Sequence, residues 1–306
     1  MSASNGAPGA ARAGAGAGTG IELGAHTLPY RGVTFERALQ GIASSGFRYV
    51  GIWNDHADGP VVAPDAAPGD LDSVRRRIEG HGLTPRMAFT FRGQEGDPEA
   101  QLRRSVEIAG ALGVRCVTTS GPSPYRKGHS ERKRDMLFHQ ESEAYFATLR
   151  AVAPVAQRAG VLIAPKPHMG VTGTGADLAD LVRLIDHPAV RVCYDAGNIA
   201  YYEGLAPEED VLDCAPLVAC VCVKDHRGPR FHPDFPVPGE GEVDHTRIFR
   251  ALLEHGFQGP CLVERVDGTG RATEMPPETI DAALTRARVY LEGAVAQATA
   301  PSPAGP

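Results

Sequence analysis

The hydrophobic positions of this chain keep two alternating rhythms. Short apolar runs that stop at glycine, proline or a charged residue predict buried strands. Stretches with apolar positions three and four apart predict amphipathic helices. Strands are expected over residues 20–26, 47–53, 84–91, 114–120, 161–166, 190–195, 217–224 and 260–264. Helices are expected over 35–43, 70–82, from 97 onward, then 134–159, 176–185, 207–214, 244–255 and 276–294. Thr34 and Asp244 stand where a side-chain oxygen would cap a helix, and Pro98 suits a first helical turn.

Eight such alternations across residues 20–294 imply a parallel sheet, and eight units of this length fit a closed barrel better than an open sheet. No Gly-x-Gly-x-x-Gly follows the first strand, which counts against a dinucleotide-binding fold. The expected fold is therefore α/β, a single (β/α)8 barrel over 20–294. A Gly/Ala-rich stretch at 1–19 and a second at 295–306 are expected to be disordered tails.

A barrel of this kind builds its site at the carboxyl ends of its strands. The polar residues that fall there are His26, Asn54, Asp55, His56, Ser120, Lys166, His168, Asp195, Asn198, Lys224, Asp225, His226, Glu264 and Arg265. One strand end stands out. Val161–Gly170 is an apolar run that stops at Lys166, held between Pro165 and Pro167, with His168 two positions later. Period-two alternation places Ala164 on the face of Lys166, Cys193 on that of Asp195, Cys220 and Cys222 on that of Lys224, and Leu262 on that of Glu264. Small inward residues beneath charged tips fit a filled floor under a polar mouth.

Composition narrows the partners. A net charge of −6 and no basic stripe argue against nucleic acid. The densest basic run, Arg126 to Arg134, is mixed with acidic residues and reads as a solvated loop and helix start. No run approaches the roughly 20 apolar residues that span a bilayer, and the first 20 residues lack a signal peptide's apolar core. The six cysteines contain no Cys-x-x-Cys pair and sit mostly in strand-like runs. Buried free thiols in a cytoplasmic protein are the expectation. Cys222, flanked by Val221 and Val223, is a poor nucleophile.

Four segments carry a family resemblance: FRYVGIW (47–53), RVCYDAGN (191–198), VCVKDHRG (221–228) and FPVPGEGEVDHTRIFRALLEHGFQGPCLVE (235–264). Over about residues 20–293 the chain resembles the sugar phosphate isomerase/epimerase family of xylose isomerase-like barrels, which includes ketose 3-epimerases, inosose isomerases and dehydratases, and hydroxypyruvate isomerase. The resemblance implies one divalent metal (Mn, Zn, Mg or Co) held by a Glu after strand five, an Asp after strand six, a His in strand seven and a Glu after strand eight. It also implies proton transfer through an enediolate. Asp195 and Glu264 match their positions. Lys166 replaces the first Glu, Cys222 the His, and Asn198 a substrate-contacting His three residues after the Asp.

A protonated lysine repels a hard cation, so the simplest reading is that Lys166 supplies the positive charge itself, metal-independently, between Asp195 and Glu264. A metal site rebuilt from Asp195 and Glu264 with His168 or Cys222 stays open. The resulting expectation is an isomerase, epimerase or related lyase for a small sugar, keto-sugar or cyclitol. Catalysis falls to Glu264, Asp195 and Lys166, and substrate contacts to His168, Asn198, Lys224, His226, His56 and Arg265. The contrasting reading is a non-catalytic sugar-binding or partner subunit in which the charges are a structural ion-pair network. Each histidine also has a plainer reading as a hydrogen-bonded loop residue. An endonuclease-like phosphodiesterase would need a multi-metal set and a basic groove, and the sequence has neither. A homo-oligomer is left open.

Overall fold

The computed structural model describes residues 19–63, 65–91, 97–122 and 136–301. Eight parallel strands run in the order of the chain: β1 (Ile21–His26), β2 (Tyr49–Ile52), β3 (Thr84–Phe89), β4 (Cys116–Thr119), β5 (Leu162–Pro165), β6 (Val192–Tyr194), β7 (Val218–Val223) and β8 (Gly259–Val263). Neighbours pair in register from β5 back through β1, across to β8, and on to β6. The seam between β5 and β6 is closed by a parallel bridge, Ile163 to Val190. There the Ile163 N–H donates to Ala189 O at 2.8 Å and the Arg191 N–H to Ile163 O at 3.0 Å. The expected (β/α)8 barrel is what the chain forms.

The outer helices are α1 (Phe35–Ser44), α2 (Pro68–Gly80), α3 (Pro98–Leu112), α4 (Met136–Ala159) and α5 (Gly175–Ile185). A single turn α6 (Ala196–Asn198), a short α7 (Pro207–Asp210), α8 (His245–Glu254) and α9 (Pro277–Thr299) complete them. Their starts are written in the sequence. The Thr34, Asp97, Thr174 and Asp244 side chains each accept a backbone N–H three residues on. In α1 the residues Phe35, Ala38, Leu39 and Ile42 share one buried face against the sheet.

Inside the barrel, Met87, Cys116, Ala164, Cys193, Cys220, Cys222 and Leu262 pack into a cluster with no solvent exposure. These include the small residues that period-two alternation turned inward. Two glycines make the interior possible. A Cβ on Gly24 would lie 2.2 Å from Tyr49 O, and one on Gly51 would lie 2.1 Å from Nδ1 of His26. The His26 ring fills the space that Gly51 leaves.

Three local expectations need correction. The last helix does not stop at 294 but runs to Thr299, because Leu291, Ala294, Val295 and Ala298 continue one buried face. Alanine is the strongest helix former, so an Ala-rich end reads as a tail only while its packing is ignored. The helix expected over 207–214 is shorter, with α7 ending at Asp210 and a 3-10 turn at Val211–Asp213 following it, and a wide π-type turn at Ile199–Glu203 comes before it. Asp55 and His56, expected in a loop, pair with Gly59 and Pro60 in a two-residue antiparallel ladder. The first tail to residue 18, the end from 302 and the basic run Arg126–Arg134 lie outside the described residues.

Candidate active site

Four strands each deliver one charged side chain to the same point. Lys166 follows β5, and its N–H extends the sheet by donating to Thr119 O at 2.8 Å. Asp195 follows β6 and caps α6, its Oδ1 accepting the Asn198 N–H at 3.0 Å. Lys224 follows β7. Glu264 follows β8, its N–H donating to Val223 O at 2.9 Å. The side chains close a square of alternating sign. Lys166 Nζ lies 2.7 Å from Glu264 Oε2 and 3.0 Å from Asp195 Oδ2. Lys224 Nζ lies 2.9 Å from Glu264 Oε1 and 3.0 Å from Asp195 Oδ2. All four residues are buried, with Asp195 fully so.

The second ammonium is the unexpected member. Lys224 was assigned from sequence to orienting hydroxyls; the structure places it in the charge cluster as an equal of Lys166. It also donates to Asn198 Oδ1 at 2.8 Å, and the Asn198 amide donates to Pro167 O at 2.6 Å, locking both lysine-bearing strand ends together. Each ammonium lies over an aromatic ring, Lys166 5.4 Å from the centre of Phe89 and Lys224 5.7 Å from that of Phe235.

Burial works against charge here, and the neighbours win. Burial pulls the Lys166 ammonium down, but the Glu264 and Asp195 carboxylates outweigh it and hold its pKa well above the ordinary value. Burial pushes Glu264 up, yet Lys166, Lys224 and His26 bring it well below the usual carboxylate range. The Coulombic attraction of each contact is about 5 kcal/mol at an effective dielectric of 20. Desolvation offsets most of that, so the square is poor evidence for stability. Removing one member, by contrast, would cost about 3–5 kcal/mol. Two histidines nearby, His26 buried and His168 half-buried, are held neutral. Burial and the two lysines bring His26 down to about 3 and His168 down to about 4.

Asp195, Cys222 and Glu264 are the one group among the described residues whose donor atoms lie close enough together for a metal, within 4.8 Å; His168 is not part of it. The donor set does not suit a hard divalent cation. Asp195 Oδ2 and both Glu264 oxygens already face ammonium nitrogens at 2.7–3.0 Å. The remaining Asp195 oxygen holds a backbone N–H, and burial pushes the Cys222 thiol well up, so it stays protonated. A divalent ion would have to enter between two positive charges.

A cavity of about 350 Å3 opens above the square. Lys166, Lys224, Glu264, Asn198, His168 and Arg265 line it, while Asp195 lies beneath the two lysines and faces them. His168 is presented by a tight turn. Its N–H donates to Thr172 O at 3.0 Å, and Met169 adopts φ 92°, a strained conformation for a residue with a side chain. Nε2 of the neutral His168 ring and the Tyr202 hydroxyl share a 3.0 Å hydrogen bond, and burial and Tyr201 push the Tyr202 pKa up to about 12.

Other expected contacts are placed elsewhere. His56 faces Val33 O and the Thr27 hydroxyl and packs on Phe35, away from the cavity. His226 is turned outward, its Nε2 2.8 Å from His232 O, with its ring against Tyr201 and Phe235. Both follow their strands closely in sequence, but the path of the loop, which periodicity does not report, turns them out. His26 is inside the barrel, with Nε2 3.7 Å from the Cys222 sulfur, and does not line the cavity. Asn54 ties its own loop to Val62. Arg265 lines the rim but is held by Asp267 through two 2.8 Å contacts and stacks on Phe235. Asp225 accepts the N–H groups of His226, Gly239, Gly241 and Val243, all at 2.8–3.0 Å, which explains the Pro-Gly-Glu-Gly stretch as a loop wound on one carboxylate.

The lining residues that sequence reasoning missed include four aromatics, Trp53, Tyr201, Tyr202 and Phe235, and two arginines, Arg31 and Arg271. A signal for Trp53 was present. Gly51 faces His26 inside the barrel, and alternation puts Trp53 on the same face, at the carboxyl end of β2.

A closed (β/α)8 barrel with charged side chains converging at the carboxyl ends of its strands defines the class. The chain belongs to the xylose isomerase-like TIM barrel family, whose model matches residues 39–288. It is similar to inosose dehydratase from Clostridium perfringens, 22% identical over 256 residues that cover 76% of this chain and 82% of the relative. It is also similar to L-ribulose-5-phosphate 3-epimerase from Salmonella typhi, 23% identical over 264 residues, 83% of this chain and 87% of that one. Among solved structures it resembles D-psicose 3-epimerase with D-tagatose from Clostridium cellulolyticum, with a TM-score of 0.69 at 15% identity, covering 90% of this chain and 99% of the other. No helix among the described residues is long and apolar enough to cross a membrane.

Proposed function

We propose that this chain is an enzyme that moves a proton on a small sugar, keto-sugar or cyclitol, as an isomerase, epimerase or dehydratase, and that its two buried lysines do the electrostatic work a metal would otherwise do. The observation that carries this reading is the Lys166–Glu264–Lys224–Asp195 square at the floor of the cavity. The relatives' names supply the substrate class and weigh against a purely binding subunit.

The chemistry follows from the arrangement. A substrate carbonyl or hydroxyl oxygen settling on the cavity floor meets two ammoniums held charged. As an enediolate forms, its oxygen gains negative charge next to them, at positions fixed before the reaction begins. The same oxygen draws the lysines away from Glu264, whose carboxylate is then freed to take the proton from carbon. Asp195, without exposure, keeps both ammoniums in place from below. His168, Asn198 and Arg265 contact the remaining hydroxyls from the cavity walls. We place the enzyme in the cytoplasm on the strength of its free thiols.

The test is deuterium exchange in D2O, followed by proton NMR on D-fructose, D-psicose, D-tagatose, L-ribulose 5-phosphate and inososes. Wild-type chain should label the carbon next to the carbonyl of at least one of them. Lys166→Met should lose the labelling with its circular dichroism unchanged. Labelling by Lys166→Met at the wild-type rate would sink the role given to the lysine.

A further inference from the structure

A second cavity, about 530 Å3, adjoins the first on the β3–β4 side and shares Trp53, Lys166 and His168 with it. Either cavity alone is the size of a ligand pocket, so one sugar ring above the lysines would leave the other empty. The second is built differently from the first. Among its described lining residues Lys166 is the one carrying a formal charge, and no Asp, Glu or Arg is present. Thr90, Thr118, Thr119, Ser120, Tyr145 and Thr148 bring six hydroxyl groups to it. Trp53 and Phe89, edge to face at 5.3 Å, form the wall nearest the lysines. The Tyr145 hydroxyl is buried at the edge of this open space, with Thr119 as its near neighbour and no well-aligned hydrogen bond, so a ligand hydroxyl could complete its bonding.

We infer that this cavity is a subsite for a second polyhydroxylated ring, so that the substrate is a two-ring sugar spanning both cavities rather than a free monosaccharide. Hydroxyl side chains exchange hydrogen bonds with ring hydroxyls, and an aromatic wall packs against the C–H face of a ring. This rests on the reading of the first cavity as a sugar site.

The test compares D-fructose with four glucosyl-fructoses, turanose, maltulose, leucrose and isomaltulose, which differ in linkage. Binding is read by calorimetry and turnover by the D2O exchange assay. At least one disaccharide should bind tenfold or more tighter than D-fructose. Thr148→Phe, which fills the second cavity from α4, should abolish that gain while changing D-fructose binding less than twofold. Tyr145→Phe should lose several-fold of it. If D-fructose binds and exchanges but no disaccharide gains, or if the gain survives Thr148→Phe, the subsite is overturned and the first-cavity reading stands. If neither D-fructose nor any of the four disaccharides binds or exchanges, the subsite is overturned, and the first-cavity reading falls too only if none of the other sugars and inososes exchanges.

Discussion

Three buried carboxylates stand just past the ends of β6, β7 and β8, Asp195, Asp225 and Glu264, and they are neutralised in opposite ways. Asp225 is surrounded by four backbone N–H groups, from His226, Gly239, Gly241 and Val243. Asp195 and Glu264 are surrounded by the ammoniums of Lys166 and Lys224. Backbone amides cannot be redeployed, so a carboxylate that uses them fixes a loop and does nothing else. A lysine is different: its ammonium sits on a flexible stem with three donors, and a ligand oxygen can share it. Burial and pairing look alike in the two places, and only the partner type separates a structural carboxylate from a chemically useful one.

Substitutions should separate the two in the same order. Lys166→Met should have the largest effect, at least 10^3-fold in kcat/KM, about 4 kcal/mol of transition-state stabilisation. Lys224→Met should fall within tenfold of it. The double variant should be scarcely worse than either alone, because both lysines act on one oxygen. Steady-state kinetics on the substrate found by exchange checks all three. Asp225→Asn should instead leave kcat within about tenfold but lower unfolding stability by about 1–3 kcal/mol, read by denaturant titration, because it weakens the carboxylate that four N–H groups share.

Acidity gives a smaller, graded effect with a definite sign. His26 and His168 are held down to about 3 and about 4, below the ordinary 6.5, so the unfolded chain binds protons that the folded chain refuses. Stability should fall as pH drops from about 6.5 towards 4, with these two histidines contributing up to about 2.7 kcal/mol per pH unit and the likewise lowered His56 and His245 adding to it. His168→Gln should lower the slope by up to about 1.4 kcal/mol per pH unit in denaturant titrations between pH 7 and 5. Glu264 and Lys166 act outside this window. The depressed Glu264 loses its contribution only well below 4.5, and the raised Lys166 only well above 10.5.

The barrel and its inner face were legible in the chain. Eight alternations gave the architecture, and period two placed Ala164, Cys193, Cys222 and Leu262 under their charged neighbours. Lys166, Asp195 and Glu264 each end a strand directly, and the family resemblance, which puts its ligands at those three strand ends, brought them together. Lys224 also ends a strand, yet its place in the square depends on the sheet registers Cys193 with Cys220 and Leu262 with Cys222, which no local pattern reports. His56 and His226 were misplaced for a related reason: beyond the last paired residue, direction is set by the loop and not by alternation. The end of α9 was hidden by composition, since alanines that pack look the same in sequence as alanines that do not.

The central claim is that two ammoniums occupy the electropositive role at the mouth of this barrel. Its most direct test is the metal content of the purified chain, measured for Mn, Zn, Co, Ni, Fe and Mg, with exchange activity assayed before and after exhaustive chelation. The account predicts well under one ion per chain and activity unchanged by the chelator. A stoichiometric divalent ion whose removal abolishes activity, and whose return restores it, would contradict it.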